Sequence, residues 1–65
     1  MVLTVNGERR EVGAATIPAL LDELGYEDGF LAVAINHEVV PRRRWLERDL
    51  TDGDSIEIVT PRQGG

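Results

Sequence analysis

There is no cysteine in these 65 residues, which excludes a disulfide, a thiolate zinc site and a cysteine nucleophile together. Lysine is missing too: all seven basic residues are arginine, so no side-chain amine is present to accept an acyl group from another copy. Histidine occurs once, as His37, and Trp, Tyr and Phe occur once each. No apolar run approaches the roughly eighteen residues of a membrane span, and the N-terminus lacks the basic start and apolar stretch of a signal peptide. A soluble cytoplasmic protein is the expectation. Positive charge is also scarce. Twelve acids against seven arginines leave a net −5, where a general nucleic-acid binder needs a basic face. The partners are expected to be proteins.

What is present fits one small domain with a single helix-on-sheet core. Met1-Val2-Leu3-Thr4-Val5 alternates and leads into Asn6-Gly7, a strong hairpin signal, with Glu8-Arg9-Arg10-Glu11-Val12 as a returning strand polar enough for a sheet edge. Thr16 is placed as a helix N-cap, Pro18 fits the first turn, and Gly25 is a stop. Between them Ile17, Leu20, Leu21 and Leu24 form one apolar stripe, with Asp22 and Glu23 toward water. Residues 30–35 read as a buried strand with Leu31, Val33 and Ile35 on the core face. Its other face carries Ala32 and Ala34, which either leave a low surface for a partner or simply fill the sheet.

Asn36-His37 reads as a tight turn before Glu38-Val39-Val40, which Pro41 ends. No catalytic arrangement of Ser, Cys or carboxylate around His37 is implied by the sequence, so it reads as a solvated turn residue. Arg42-Arg43-Arg44 reads as an anion site or as a solvated segment whose stems cover apolar surface. Trp45, Leu46 and Leu50 are expected to plug the open end of the core. Asp52-Gly53-Asp54 is turn chemistry, without the ligand spacing of a calcium loop. The last strand covers Ser55 to Thr60, with Ile56 and Ile58 inward and Glu57 and Val59 outward.

The chain closes on Pro61-Arg62-Gln63-Gly64-Gly65. With Gly at about 7% of residues, two terminal glycines arise by chance in roughly one chain in two hundred. Chain ends often fray and tolerate Gly; equally, two residues without a Cβ suit a tail that threads a narrow channel. Pro61 ends strand hydrogen bonding, so the last five residues should leave the body and reach at most roughly 17 Å. The expected organisation is therefore a domain over 1–60 and a tail over 61–65.

Hairpin, helix, strand, short strand, turn and last strand, in that order, is the plan of a β-grasp. The fold class expected is α+β, ubiquitin-like, with a mixed sheet of four to five strands and one main helix on one face. Ala32-Val33-Ala34-Ile35-Asn36, then Val40-Pro41-Arg42 with Trp45 following, then Asp52-Gly53-Asp54, then Gln63-Gly64-Gly65, resemble in order and spacing the ThiS family of sulfur carriers (ThiS/MoaD-like). His37 stands where Gly is common in that family, and the arginine run is more basic than usual.

The resemblance implies a carrier with no turnover of its own, whose Gly65 is adenylated and converted to a thiocarboxylate, with Gln63 and Gly64 threading into the partner. It also implies a docking face made of Val2, Ala32, Ala34, Val59 and Arg62. The implied partners are an E1-like adenylating enzyme (ThiF- or MoeB-like) using ATP and magnesium, a persulfide sulfur donor, and thiazole synthase (ThiG-like) as acceptor. No cofactor or metal bound by the chain itself is implied. Carriers for molybdopterin, cysteine or transfer-RNA thiolation share the fold and tail. So do ubiquitin-like protein modifiers, and a non-covalent β-grasp interaction module would need only the body.

Overall fold

Asn6-Gly7 makes the turn that the dipeptide predicts. In the computed structural model, which describes residues 1–26 and 31–60, Asn6 has φ 50° and Gly7 φ 86°. Positive values at both central residues are what a two-residue hairpin turn requires. Strand β1 (Val2–Val5) therefore returns as β2 (Glu8–Glu11), with Val5 opposite Glu8 and Val2 opposite Glu11. Leu3 and Val5 are buried, and every residue of β2 is exposed at the sheet edge. Val12 lies just past β2 instead of within it: its N–H donates to the Met1 carbonyl, and its side chain joins the core.

Helix α1 (Ile17–Leu24) is set by its two ends. Thr16 is extended, and its hydroxyl accepts the Ala19 N–H at 3.4 Å, satisfying one first-turn donor. At the other end Gly25 takes φ 84°, and the Gly25 and Tyr26 N–H groups reach back to the Asp22 and Leu21 carbonyls. Ile17, Leu20 and Leu21 are buried and Leu24 packs against them. Glu23, expected to face only water, is exposed, but its carboxylate accepts the Gly13 N–H at 3.1 Å and ties the helix to the loop after β2.

Three strands complete the sheet: β3 (Ala32–Ile35), β4 (Glu38–Val39) and β5 (Ser55–Val59). β3 is shorter than the expected 30–35; Leu31 packs beside the core, and Phe30 lies outside the described residues. The order is β2-β1-β5-β3-β4, parallel between β1 and β5 and antiparallel elsewhere. This is the mixed five-stranded α+β architecture of a β-grasp. Its core is Leu3, Val5, Val33, Ile35, Ile56 and Ile58 against the α1 stripe.

A 3₁₀ turn (Arg42–Arg44) crosses the open end of the core. Trp45 closes it, buried, with its indole N–H donating to the Val40 carbonyl at 2.9 Å. Leu50 is also buried, but Leu46 is 74% exposed, against the expectation that it helps plug the core. Trp45 and Leu46 lie in the turn that follows, where the Glu47 and Arg48 N–H groups both donate to the Arg44 carbonyl, and neighbouring side chains of such a helical turn point roughly 100–120° apart. Once Trp45 points inward, Leu46 is carried outward.

Candidate functional site

The element that delivers the C-terminal residues is β5, and it lies in the centre of the sheet, between β1 and β3. Two asparagines from the two hairpin turns hold it. The Asn6 side chain accepts the Ile58 N–H at 2.8 Å and donates to the Ile58 carbonyl at 3.3 Å, so a side chain continues the β1 ladder where the strand itself has turned away. Asn36, at φ 52°, accepts the Ser55 N–H at 3.0 Å, donates to the Asp54 carboxylate at 3.0 Å, and sends its backbone N–H to the Ser55 carbonyl. The start and the far end of β5 are thus fixed by separate turns.

Both carboxylates of the 52–54 turn are used in the same framework. Asp52 accepts the Val2 N–H at 2.6 Å, and the buried Asp54 accepts the Thr51 N–H at 2.9 Å. Among the described residues no group of three or more His, Asp or Glu side chains is placed to hold a metal. His37 is exposed on its turn at φ 72°.

The four described residues expected to form the docking face do not form one patch. Ala32 lies directly opposite Val59, and Ala34 sits two residues along the same face opposite Glu57. Val2 is at the other end of the sheet: the β1–β5 register places it level with Gly53, whose N–H donates to the Val2 carbonyl. From Gly53 to Val59 is roughly 20 Å along a strand at about 3.3 Å per residue. Alternation alone put Val2 outward and said nothing of its level. In its place the structure adds Val39, which pairs with Ala34 of β3; Val39 is 71% exposed and Val59 57%. The two-residue Asn36-His37 turn was the available signal, because it fixes the pairing of Ile35 with Glu38 and hence of Ala34 with Val39. Arg62, Gln63, Gly64 and Gly65 lie outside the described residues.

The sequence model of the ThiS family matches residues 3–65. The chain belongs to the ThiS family. A sulfur carrier protein ThiS of Thermus thermophilus is 38% identical over 61 residues, covering 94% of this chain and 95% of that protein. A crystal structure of the thiamine biosynthesis protein ThiS from Geobacter metallireducens superposes with a TM-score of 0.84 at 33% identity, each chain fully covered. A thiazole synthase of Paramagnetospirillum magneticum is 42% identical over 66 residues, and there the whole chain spans only 20% of the relative's length.

Proposed function

We propose that this chain is a sulfur carrier that holds its cargo as a thiocarboxylate on Gly65 and gives it up for thiazole formation in thiamine biosynthesis. The observation that carries this reading is the ThiS family match, which runs to residue 65 and so takes in Gln63, Gly64 and Gly65. The thiazole synthase relative, in which a segment similar to the whole chain is part of the larger protein, supports thiazole synthase as the acceptor.

A carboxylate is a poor electrophile, so Gly65 must first acquire a leaving group. An E1-like adenylating partner using ATP and magnesium would form the acyl-adenylate, with pyrophosphate leaving. A persulfide sulfur then attacks the acyl carbon and expels AMP, giving an acyl disulfide. Two electrons from a thiol cleave the sulfur–sulfur bond and leave the thiocarboxylate. The carrier supplies geometry throughout. Gln63, Gly64 and Gly65 enter the partner's site, where exclusion of water protects the adenylate from hydrolysis. The body docks through the outer-face cluster of Ala32, Ala34 and Val59, with Arg62 at the base of the tail. Val2 stands apart from that cluster in the fold and is assigned no part of it.

The test is the intact mass after incubation with ATP, magnesium, an E1-like enzyme and a persulfide donor. A gain equal to exchanging one oxygen for sulfur, mapped to Gly65, is expected. Gly65→Ala should fold with an unchanged melting temperature and abolish loading. Normal loading of that variant would overturn the proposal.

A further inference from the structure

The charge of this protein is unevenly placed. Residues 42–48 hold four of its seven arginines and one of its twelve acids, so this stretch carries +3 and the rest of the chain −8. The fold puts the stretch in a particular place. Because Ala34 faces Val39 and Val40 bonds to Val33, Pro41 falls level with Ala32, and Ala32 faces Val59. The arginine turn therefore begins at the end of the sheet where β5 finishes, two strand spacings or roughly 10 Å from Val59.

Arg42 lies over the Trp45 ring at 5.3 Å, and Arg48 donates to the Asp49 carbonyl. Arg43 and Arg44 are exposed, and no ion pair among the described residues engages either. Arg44 shares a surface hollow with the exposed Val39, where Glu38, Glu47 and Arg48 also lie. That hollow balances two arginines with two glutamates, and through Val39, which pairs with Ala34, it joins the arginine turn to the apolar outer-face cluster.

We infer that Arg43 and Arg44 form a docking surface for the nucleotide-loaded adenylating enzyme. The inference rests on the sulfur-carrier reading and adds the charge that steers it. Adenylation requires an acidic protein, ending in a carboxylate, to approach a site that holds a triphosphate. Like charges oppose that approach. A positive strip at the end of the sheet where β5 finishes turns the local field attractive toward an anionic site, while the −8 elsewhere disfavours other orientations. Delivery of sulfur to the acceptor involves no triphosphate and does not need the strip.

The experiment measures ATP-dependent adenylation against carrier concentration, using the full chain and the E1-like enzyme of the same cell with ATP and magnesium. Arg43→Glu and Arg44→Glu are compared with Arg9→Glu, an equal charge change on the exposed edge strand β2. The first two should raise KM about tenfold or more with kcat unchanged, and added salt should shrink the difference. Arg9→Glu should change KM little. Melting temperatures close to the unmutated chain's show that each variant folds. If the unmutated chain is adenylated and all three variants behave alike, the docking surface is overturned and the carrier reading stands. An equal loss in sulfur transfer from preloaded variants to thiazole synthase would overturn the assignment to the adenylating enzyme. Failure of the unmutated chain to be adenylated overturns both.

Discussion

The two hairpin turns of this protein solve one problem with different residues. Asn6-Gly7 and Asn36-His37 both place two consecutive residues at positive φ, and in both the Asn side chain leaves its own hairpin to bond β5. They differ in the second residue and in what surrounds the Asn. Gly7 takes φ 86° with nothing within 4 Å of where a Cβ would stand, whereas His37 takes φ 72° with a side chain that disfavours it. Asn6 also donates to the neutral Tyr26 hydroxyl, at a long 3.5 Å, while Asn36 donates to the buried Asp54 carboxylate at 3.0 Å. The clamp on the outgoing end of β5 is therefore backed weakly, by a neutral hydroxyl, on a turn that glycine relaxes, and the clamp on its start is backed by a carboxylate on a turn that His37 strains. Precision is concentrated on the strand that leads to Gly65.

The largest effect is expected from breaking the outgoing clamp. Asn6→Ala removes both bonds to Ile58 and leaves an alanine at φ 50°, which should cost about 2–3 kcal/mol and lower the melting temperature by roughly 10–20 °C. Asn6→Gly, which keeps the backbone relaxed, should lose only about 1–2 kcal/mol. A glycine variant as stable as the parent would show that the clamp contributes nothing. Next comes the network. In a double-mutant cycle, Asn36 and Asp54 should couple by about 1 kcal/mol in chemical denaturation, and strict additivity would dissolve the contrast between the two turns. Smallest is the strain at His37. His37→Gly should raise the melting temperature by a few degrees, about 0.5 kcal/mol, with sulfur loading unchanged. A loss of loading without a loss of stability would give His37 a role that its exposed position does not suggest.

Local chemistry was legible wherever neighbours in sequence settle the outcome. The Thr16 cap, the Gly25 stop, the Leu20 and Leu21 stripe and both turns follow from spacings of two to four residues. Leu46 was misplaced because apolar composition cannot say how a tight turn rotates each residue. Val2 was misgrouped for a related reason: alternation gives the face of a strand and not its level in the sheet. Val39 was readable from the length of its turn. The use of Asn6 and Asp52 as partners for Ile58 and Val2 was not, since about fifty residues separate each pair.

By itself the sequence determined the order of the elements and most of the core, because these depend on periodicity and on short-range backbone preference. Only the tertiary structure decided that β5 enters between β1 and β3, that two turn asparagines fix its level there, and that the arginine turn begins where it ends. Those outcomes depend on register between strands far apart in the chain, and register is set by the simultaneous burial of Leu3, Val33 and Ile56, all but inaccessible in one core.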